Sequence, residues 1–584
     1  MSELFTEVQR PAARRVQEWK WLVWLLIGVP VVAFFGFFWF QAVNVPYQDD
    51  FDGLLEPAIA FSKPNLTIGD IWTAYATQDD ERRIITNRMA VHAQYLLTGE
   101  FNFRTHILAG SLVLLLALGI FWVWFRRSGW SRWLFVPVPF ILFHPQYFDA
   151  ILWPIIPFQH VAVYIWALLA IWLLSRDTRR TFGWAIVAAV VALLSDVTGL
   201  LPFVVGAMLL VIQQRWRRLA VWIAVTALSL GTYFHNFEVP GYRPSFADNI
   251  KLPGTMVQLW LSMQGLWVDA VPRLSFSIRL ALTIVVGLAV VGLWVSTFWK
   301  SAALYLKNRQ VPNKQALFLY GGVLLFLGVF TLFATGRTVE GVQAAFITRY
   351  RFMHMAWLVL LYLLLLFRLP DRLRNQSWLA GLAVGGSILY SLTMWFQYAS
   401  EARLFRQALL ADLHSWQHHR ILPSTPIYFL HKKVVDDWME QAEAKRIFRY
   451  ENPQLEALAQ APVAGKADIQ LIENDERLGV NLINMPQPGF SPLADVYVLI
   501  NEKNAAYDGS QTPLIFPTVS TRSSVFGWLR SGRLLSTPYM AQTILKQYLT
   551  DPNPTIEIGV VDGERVVRYE TGQNPTLSLP LPKN

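Results

Sequence analysis

Tyr47-Gln48-Asp49-Asp50-Phe51-Asp52 follows the first long apolar run and packs three carboxylates into four positions. Acids so close repel one another, and beside a bilayer they also lose solvation, so at least one acquires a raised pKa unless a cation or metal compensates. A carboxyl group tuned in this way can take a proton from a hydroxyl. Asp49 and Asp50 are therefore candidate general bases, and Asp52 is a third acid able to contact substrate. A solvated helix cap, where Asp is common, accounts for the same residues.

Two sets of basic residues could serve such an acid. Asp80-Glu81-Arg82-Arg83 with Arg88 lies in the same stretch. On a helix Arg82 and Arg83 would point apart, whereas Glu81 and Arg88 would share a face. The second set is Gly336-Arg337 followed by Thr348-Arg349-Tyr350-Arg351. A guanidinium binds phosphate oxygens in pairs, so Glu81, Arg82, Arg83, Arg88, Arg337, Arg349 and Tyr350 are candidate substrate-binding residues for a phosphate or pyrophosphate group. Anionic headgroups, or pairing with Asp49, Asp50 or Glu340, would employ the same cations. The aromatic, proline-interrupted stretch from His144 through Trp153-Pro154 to His160 suits sugar rings, although Trp and Tyr are also ordinary interfacial anchors. A lone His such as His235 more often makes a structural hydrogen bond than a metal bond.

The elements that position these residues are membrane helices. Of the 584 residues 54% are hydrophobic and only 15% charged, against roughly 25% in soluble proteins. Trp, Phe and Tyr number 25, 38 and 20 and fall in long apolar runs. Zero Cys excludes a thiol nucleophile, Cys-ligated zinc, iron–sulfur clusters and disulfides. The net charge of +10 is scattered in small clusters rather than gathered in a patch, which argues against nucleic acid. Neither HExxH, a Walker A loop, GxSxG nor a dinucleotide fingerprint occurs.

Apolar runs at about Trp21–Ala42, Thr105–Phe125, Trp133–His144, Val161–Ser175, Phe182–Leu194, Leu200–Ile212, Leu219–His235, Phe276–Trp299, Ala316–Ala334, Phe352–Phe367 and Trp378–Phe396 predict about eleven spans. Paired or partly re-entrant helices suit the Pro137–Pro157 segment. Alternate connections carry basic clusters, among them Arg126, Arg127 and Arg132, and Arg215, Arg217 and Arg218. This places the amino terminus in the cytoplasm and the carboxy terminus outside. On that reading Arg337 and Arg349 lie on the side that disfavours positive charge. The outer loop, about 43–104, shows helical periodicity in Leu54–Phe61, Ile68–Tyr75 and Ile84–Leu97, as interfacial helices would.

The chain thus divides into a transmembrane module, residues 1–398, and a soluble α/β domain, residues 399–584, facing the periplasm. Helices are expected at Trp438–Arg449 and Met540–Leu549, strands at Ile427–Leu430 and Val496–Ile500, and a hairpin at Thr555–Tyr569 around Asp562-Gly563.

An acidic pair just past the first helix, interfacial helices in the loop it opens, and a soluble carboxy-terminal domain resemble the GT-C superfamily of membrane glycosyltransferases. That superfamily includes protein O-mannosyltransferases, aminoarabinose transferases and arabinosyltransferases. The resemblance covers residues 1 to about 400 in topology and Asp49-Asp50 in motif. It implies transfer of a sugar from a polyprenyl-phosphate carrier to a hydroxyl of a glycan or lipid acceptor, at the periplasmic face of a bacterial inner membrane. A carboxylate base and cations for the departing phosphate would carry the reaction. The donor is the lipid-linked sugar, membrane lipids surround the protein, and a divalent metal is compatible with the chemistry though no residue is assigned as its ligand. A polysaccharide polymerase or ligase would rely on a large loop between later spans. A transporter or flippase would place ionisable residues within its helices and repeat its halves. An assembly scaffold would need no base.

Overall fold

The computed structural model describes residues 20–241, 244–272, 274–308, 311–425, 428, 431–449, 452–484, 494–502, 512–522, 535–541 and 544–579. They form two compact units. The first takes the chain up to Ala42, then Asp52–Thr98 and Thr105–Ala399; the second takes Val43–Phe51, Gly99–Arg104 and the chain from Ser400. The first loop, one piece of the membrane module when read linearly, is therefore shared: its ends pack with the second unit and its middle with the first.

Eight helical segments among the described residues are long and apolar enough to cross a membrane: Lys20–Gln41, Phe103–Arg126, Arg132–Leu152, Pro157–Ser175, Phe276–Ala303, Lys314–Glu340, Thr348–Arg368 and Ser377–His419. The chain is largely helical, and its apolar helices are compatible with a multi-pass membrane protein. Three further runs counted among the expected spans are helical but fall short: Arg179–Ser195 and Leu201–Ile212 in length, and Trp216–Tyr233, with Arg217 and Arg218 in its first turn, in apolarity. Large side chains such as Val32, Phe40, Val285, Leu382 and Leu389 stay exposed on the long helices. A lipid solvent stabilises such surfaces and water does not.

The centre of the first unit is the helix Ala162–Ser175, most of which is buried. It packs against Val113–Arg126, Arg179–Ser195, Leu201–Ile212 and Lys314–Arg337. Helices Pro253–Gly265 and Phe276–Asn308 cross with backbones in contact. A Cβ on Gly265 would strike the Thr283 carbonyl, and one on Gly287 the Leu261 carbonyl, so only glycine permits this crossing. The proline-rich stretch is broken into short turns, Arg132–Phe135, Pro137–Leu142, Pro145–Tyr147 and Phe148–Leu152. Irregular backbone of this kind is tolerated at membrane depth only inside protein, and here the segment is almost wholly buried.

The expected helices of the first loop are Glu56–Phe61, Ile68–Ala76 and Ile85–Thr98. The second starts at a capping box in which Thr67 and Asp70 exchange side chain to backbone bonds.

Among its described residues the second unit holds the end of the helix Ser377–His419, helices Lys432–Ala444 and Pro453–Ala459, and nine strands. These are β1 Val463–Lys466, β2 Asp468–Glu473, β3 Arg477–Asn484, β4 Asp495–Asn501, β5 Leu514–Arg522, β6 Leu535–Ala541, β7 Ile544–Leu545, β8 Thr555–Asp562 and β9 Arg565–Glu570. The sheet order is β1-β9-β8-β4-β5-β6-β3-β2, with β7 on β3. All pairs are antiparallel except β1 with β9, so the unit is less a parallel α/β array than an antiparallel sheet with helices. Strand β4 is buried on both faces: Tyr497 and Leu499 join a core containing Val43, Val45 and Leu409, while Val496, Val498 and Ile500 join another with Ile556 and Ile558. This is why its sequence is an unbroken apolar run.

The hairpin β8–β9 turns at Asp562-Gly563 as expected, with Gly563 at φ +63°. The expected helix Trp438–Arg449 begins earlier, at Lys432, and ends at Ala444, where Arg446 takes a left-handed φ of +53°. The expected helix Met540–Leu549 does not form. Met540 lies in β6, where it pairs with Asn481 of β3 and Val519 of β5, and only a short turn, Lys546–Tyr548, follows β7. Ladder partners on both sides outweigh local helix preference. The expected strand Ile427–Leu430 lies, apart from Tyr428, outside the described residues.

Candidate functional site

Between the helices Ile68–Ala76 and Ile85–Thr98 the chain makes a tight turn rather than the helix that would align Glu81 with Arg88. Asp79 and Arg82 form a two-residue bridge, Asp79 N–H to Arg82 O at 2.8 Å and Arg82 N–H to Asp79 O at 2.9 Å. Asp80 takes φ +48°, a left-handed conformation that Asp tolerates. The Arg82 Nε also donates to Asp79 Oδ2 at 2.9 Å, and both residues are buried. The arginine is thus fixed by its own turn.

Its neighbours diverge. Arg83 donates its backbone N–H to the Tyr233 hydroxyl oxygen at 2.8 Å and donates from Nη2 to the His235 carbonyl at 2.6 Å. Arg88, on the helix Ile85–Thr98, donates to the Thr77 carbonyl. Burial pushes the Arg88 guanidinium below its ordinary pKa against the opposing pull of Asp79, Asp52 and Glu56. Burial likewise pushes the Glu56 carboxyl up, with Arg88 resisting. Asp52 therefore belongs electrostatically with Arg88.

The later arginines divide into paired and unpaired. Arg337 donates to Glu340 at 2.5 Å and reaches Glu81 at 3.4 Å. Arg351 and Arg279 both bind Asp269, each at 2.6 Å, in a buried triad that ties the loop before the helix Phe276–Asn308 to the helix Arg351–Arg368. Arg349 forms no ion pair with any described residue. Its guanidinium lies over Trp153 at 5.2 Å and Tyr350 at 5.1 Å, and its Nε is buried without a hydrogen-bond partner. Aromatic faces hold such a cation while leaving its fork of donors unspent.

At the centre of this cluster stand His160, the end of the aromatic stretch, and Asp196, a pairing that the sequence did not reveal. His160 Nδ1 lies 3.6 Å from Asp196 Oδ2, and His160 is within electrostatic reach of Arg82, Arg349 and Arg337. Gln159 donates to Asp196 at 3.1 Å, and Thr198 donates twice to the other oxygen, from N–H at 2.9 Å and Oγ1 at 2.8 Å. Burial pushes the Asp196 carboxyl up, but His160, Arg82 and the Thr198 bonds outweigh it and hold it below its ordinary value. The signal was an Asp at a helix junction within apolar sequence. Asp149, in the proline-rich stretch, accepts from the Thr348 hydroxyl.

Asp49 and Asp50 lie in the second unit. Asp50 is fully buried and its Oδ2 accepts the Tyr47 N–H at 2.8 Å, a cap-like bond, while the Tyr47 ring meets Phe405 at 5.0 Å. Asp49 is partly exposed. The structure thus gathers Glu81, Arg82, Arg337, Arg349 and Tyr350 around His160 and Asp196, sets Asp52 with Arg88, and turns Arg83 to a backbone contact.

None of the protein-family models, curated proteins or solved structures compared with the chain matches it.

Proposed function

We propose that the protein is a membrane glycosyltransferase of the GT-C type that moves a sugar from a polyprenyl-phosphate carrier to an acceptor hydroxyl at the periplasmic face of a bacterial inner membrane. The observation that carries this reading is Arg349, a cation stacked on Trp153 and Tyr350 with no carboxylate bonded to it among the described residues. No ion pair with a described residue occupies its donors, although Asp149 is within electrostatic reach. A phosphate would engage those donors.

In the reaction the acceptor oxygen attacks the anomeric carbon of the donor, and the bond from that carbon to the phosphate oxygen breaks. The acceptor proton passes to a carboxylate, and the polyprenyl phosphate leaves with the bonding electrons, its charge met by Arg349. Asp49 and Asp50, both in the second unit, are the acids proposed for proton transfer on their place in the sequence just past the first helix, and the Asp50 carboxylate accepts the Tyr47 amide. Arg82, fixed by Asp79, and Arg337, shared between Glu81 and Glu340, supply further positive potential in the first unit.

The test is release of free polyprenyl phosphate from polyprenyl-phosphate-linked hexoses by the purified full-length protein. Acceptor-dependent release is expected. Absence of release across donors, with intact binding or movement of the lipid-linked sugar, replaces the transferase with a transporter.

A further inference from the structure

The helix Ser377–His419 has 43 residues and runs for about 65 Å at 1.5 Å per residue, some twice the thickness of a hydrocarbon core. Its final turns, in the second unit, carry His414 and His418, one helical turn apart and so on one face. A short helix, Pro453–Ala459, brings Glu456 against that face. It is anchored there by Asn452, which accepts the Leu455 N–H and donates to the Leu410 carbonyl at 3.0 Å.

The three side chains converge on one point. His414 Nδ1 lies 3.1 Å and His418 Nε2 2.8 Å from the same carboxylate oxygen, Glu456 Oε1, and all three atoms fall within 4.8 Å of one another. In a tetrahedral zinc site with bonds of 2.0–2.1 Å, neighbouring ligand atoms are about 3.3 Å apart. Movement of a few tenths of an ångström at the two shorter contacts brings them to that spacing. His414 is fully buried and His418 and Glu456 are partly exposed, so the ligands are held from one side and open to an entering ion on the other.

We propose that His414, His418 and Glu456 form a site for a divalent first-row transition ion, zinc foremost, that fastens the end of the long helix to Pro453–Ala459. Two imidazoles and one carboxylate suit zinc and leave a fourth position for water. The short helix packs on β8 and β9, so the ion links the long helix to the sheet within the second unit. This site uses no residue of the proposed transfer reaction and stands or falls independently of it.

The experiment uses the full-length protein, purified without a polyhistidine tag and stripped with a chelator, titrated with zinc and separately with cobalt. One saturable zinc per chain is expected, with the d–d absorption of tetrahedral cobalt and a rise in Tm on zinc addition. Loss of an outer-shell partner alone costs zinc sites 10- to 100-fold, so Glu456→Gln and His418→Ala should each weaken binding by at least about 100-fold. Equal zinc affinity in wild type and Glu456→Gln overturns the proposal. So does a wild-type protein without the cobalt absorption, a result that requires no variant to fold.

Discussion

Arg82 and Asp79 are joined three times: by both backbone bonds of a two-residue bridge and by the Arg82 Nε to Asp79 Oδ2 bond at 2.9 Å. The side-chain bond costs Arg82 part of its donor fork but fixes its direction. Asp79→Asn keeps the backbone bonds and removes the charge. Under the proposed reaction it should raise KM for the lipid-linked donor more than it lowers kcat. The double variant Asp79→Asn/Arg82→Gln should be no worse than Arg82→Gln alone, because residues acting as one unit are not additive. Additive losses would show that Asp79 acts on its own.

Arg349→Ala should weaken use of the donor by about 10- to 100-fold, the range of a charged hydrogen bond worth about 1.5–3 kcal/mol. Lys should rescue only in part, since it lacks the planar fork and stacks less well on Trp153 and Tyr350. Arg337→Ala should cost less, because Glu340 and Glu81 already engage that side chain. Steady-state kinetics against donor concentration separates the two.

Asp269 is fully buried between Arg279 and Arg351. Burial pushes its carboxyl up, but the two guanidiniums prevail and hold it below its ordinary value. Asp269→Asn strands two cations and should destabilise by about 3–5 kcal/mol. Thermal unfolding in detergent measures this. The stability contributed by the charged Asp269 is present above its ordinary pKa of 3.8 and is lost as pH falls through the lower folded value. The gap between wild type and Asp269→Asn should accordingly narrow below about pH 4.

The orientation is open to direct labelling because the chain has no native Cys. Single cysteines at Ser128 and Asp475, probed in intact cells with an impermeant maleimide, should label only at 475. Labelling at 128 would invert the proposed topology.

Much of the helical scaffold was legible because apolar runs and their basic flanks are written locally, as in Lys20–Gln41 and Phe276–Ala303. So were β4, a continuous apolar run, and the β8–β9 turn at Gly563. The strands around Met540 were not, since their conformation depends on partners in β3 and β5 distant in sequence. The same holds for the site. Arg337 and Arg349 stood out as charges in unexpected places and Arg82 as a cation in the same loop as the first acids, but Asp196 and His160 become a pair only when their helices meet. His414 and His418 carried a visible signal, the one-turn spacing, whereas nothing near Glu456 announced their shared carboxylate.

The central claim is that an acid of the first loop removes the acceptor proton, and Asn substitution tests it most directly, since Asn keeps the size of Asp but cannot take a proton. The measurement is sugar transfer from a polyprenyl-phosphate donor by purified Asp49→Asn, Asp50→Asn and Asp52→Asn proteins with wild-type expression and melting. Loss of a general base lowers transfer by at least about 10²-fold, and that loss is expected for at least one of Asp49→Asn and Asp50→Asn. Near-normal turnover in both Asp49→Asn and Asp50→Asn would contradict the account.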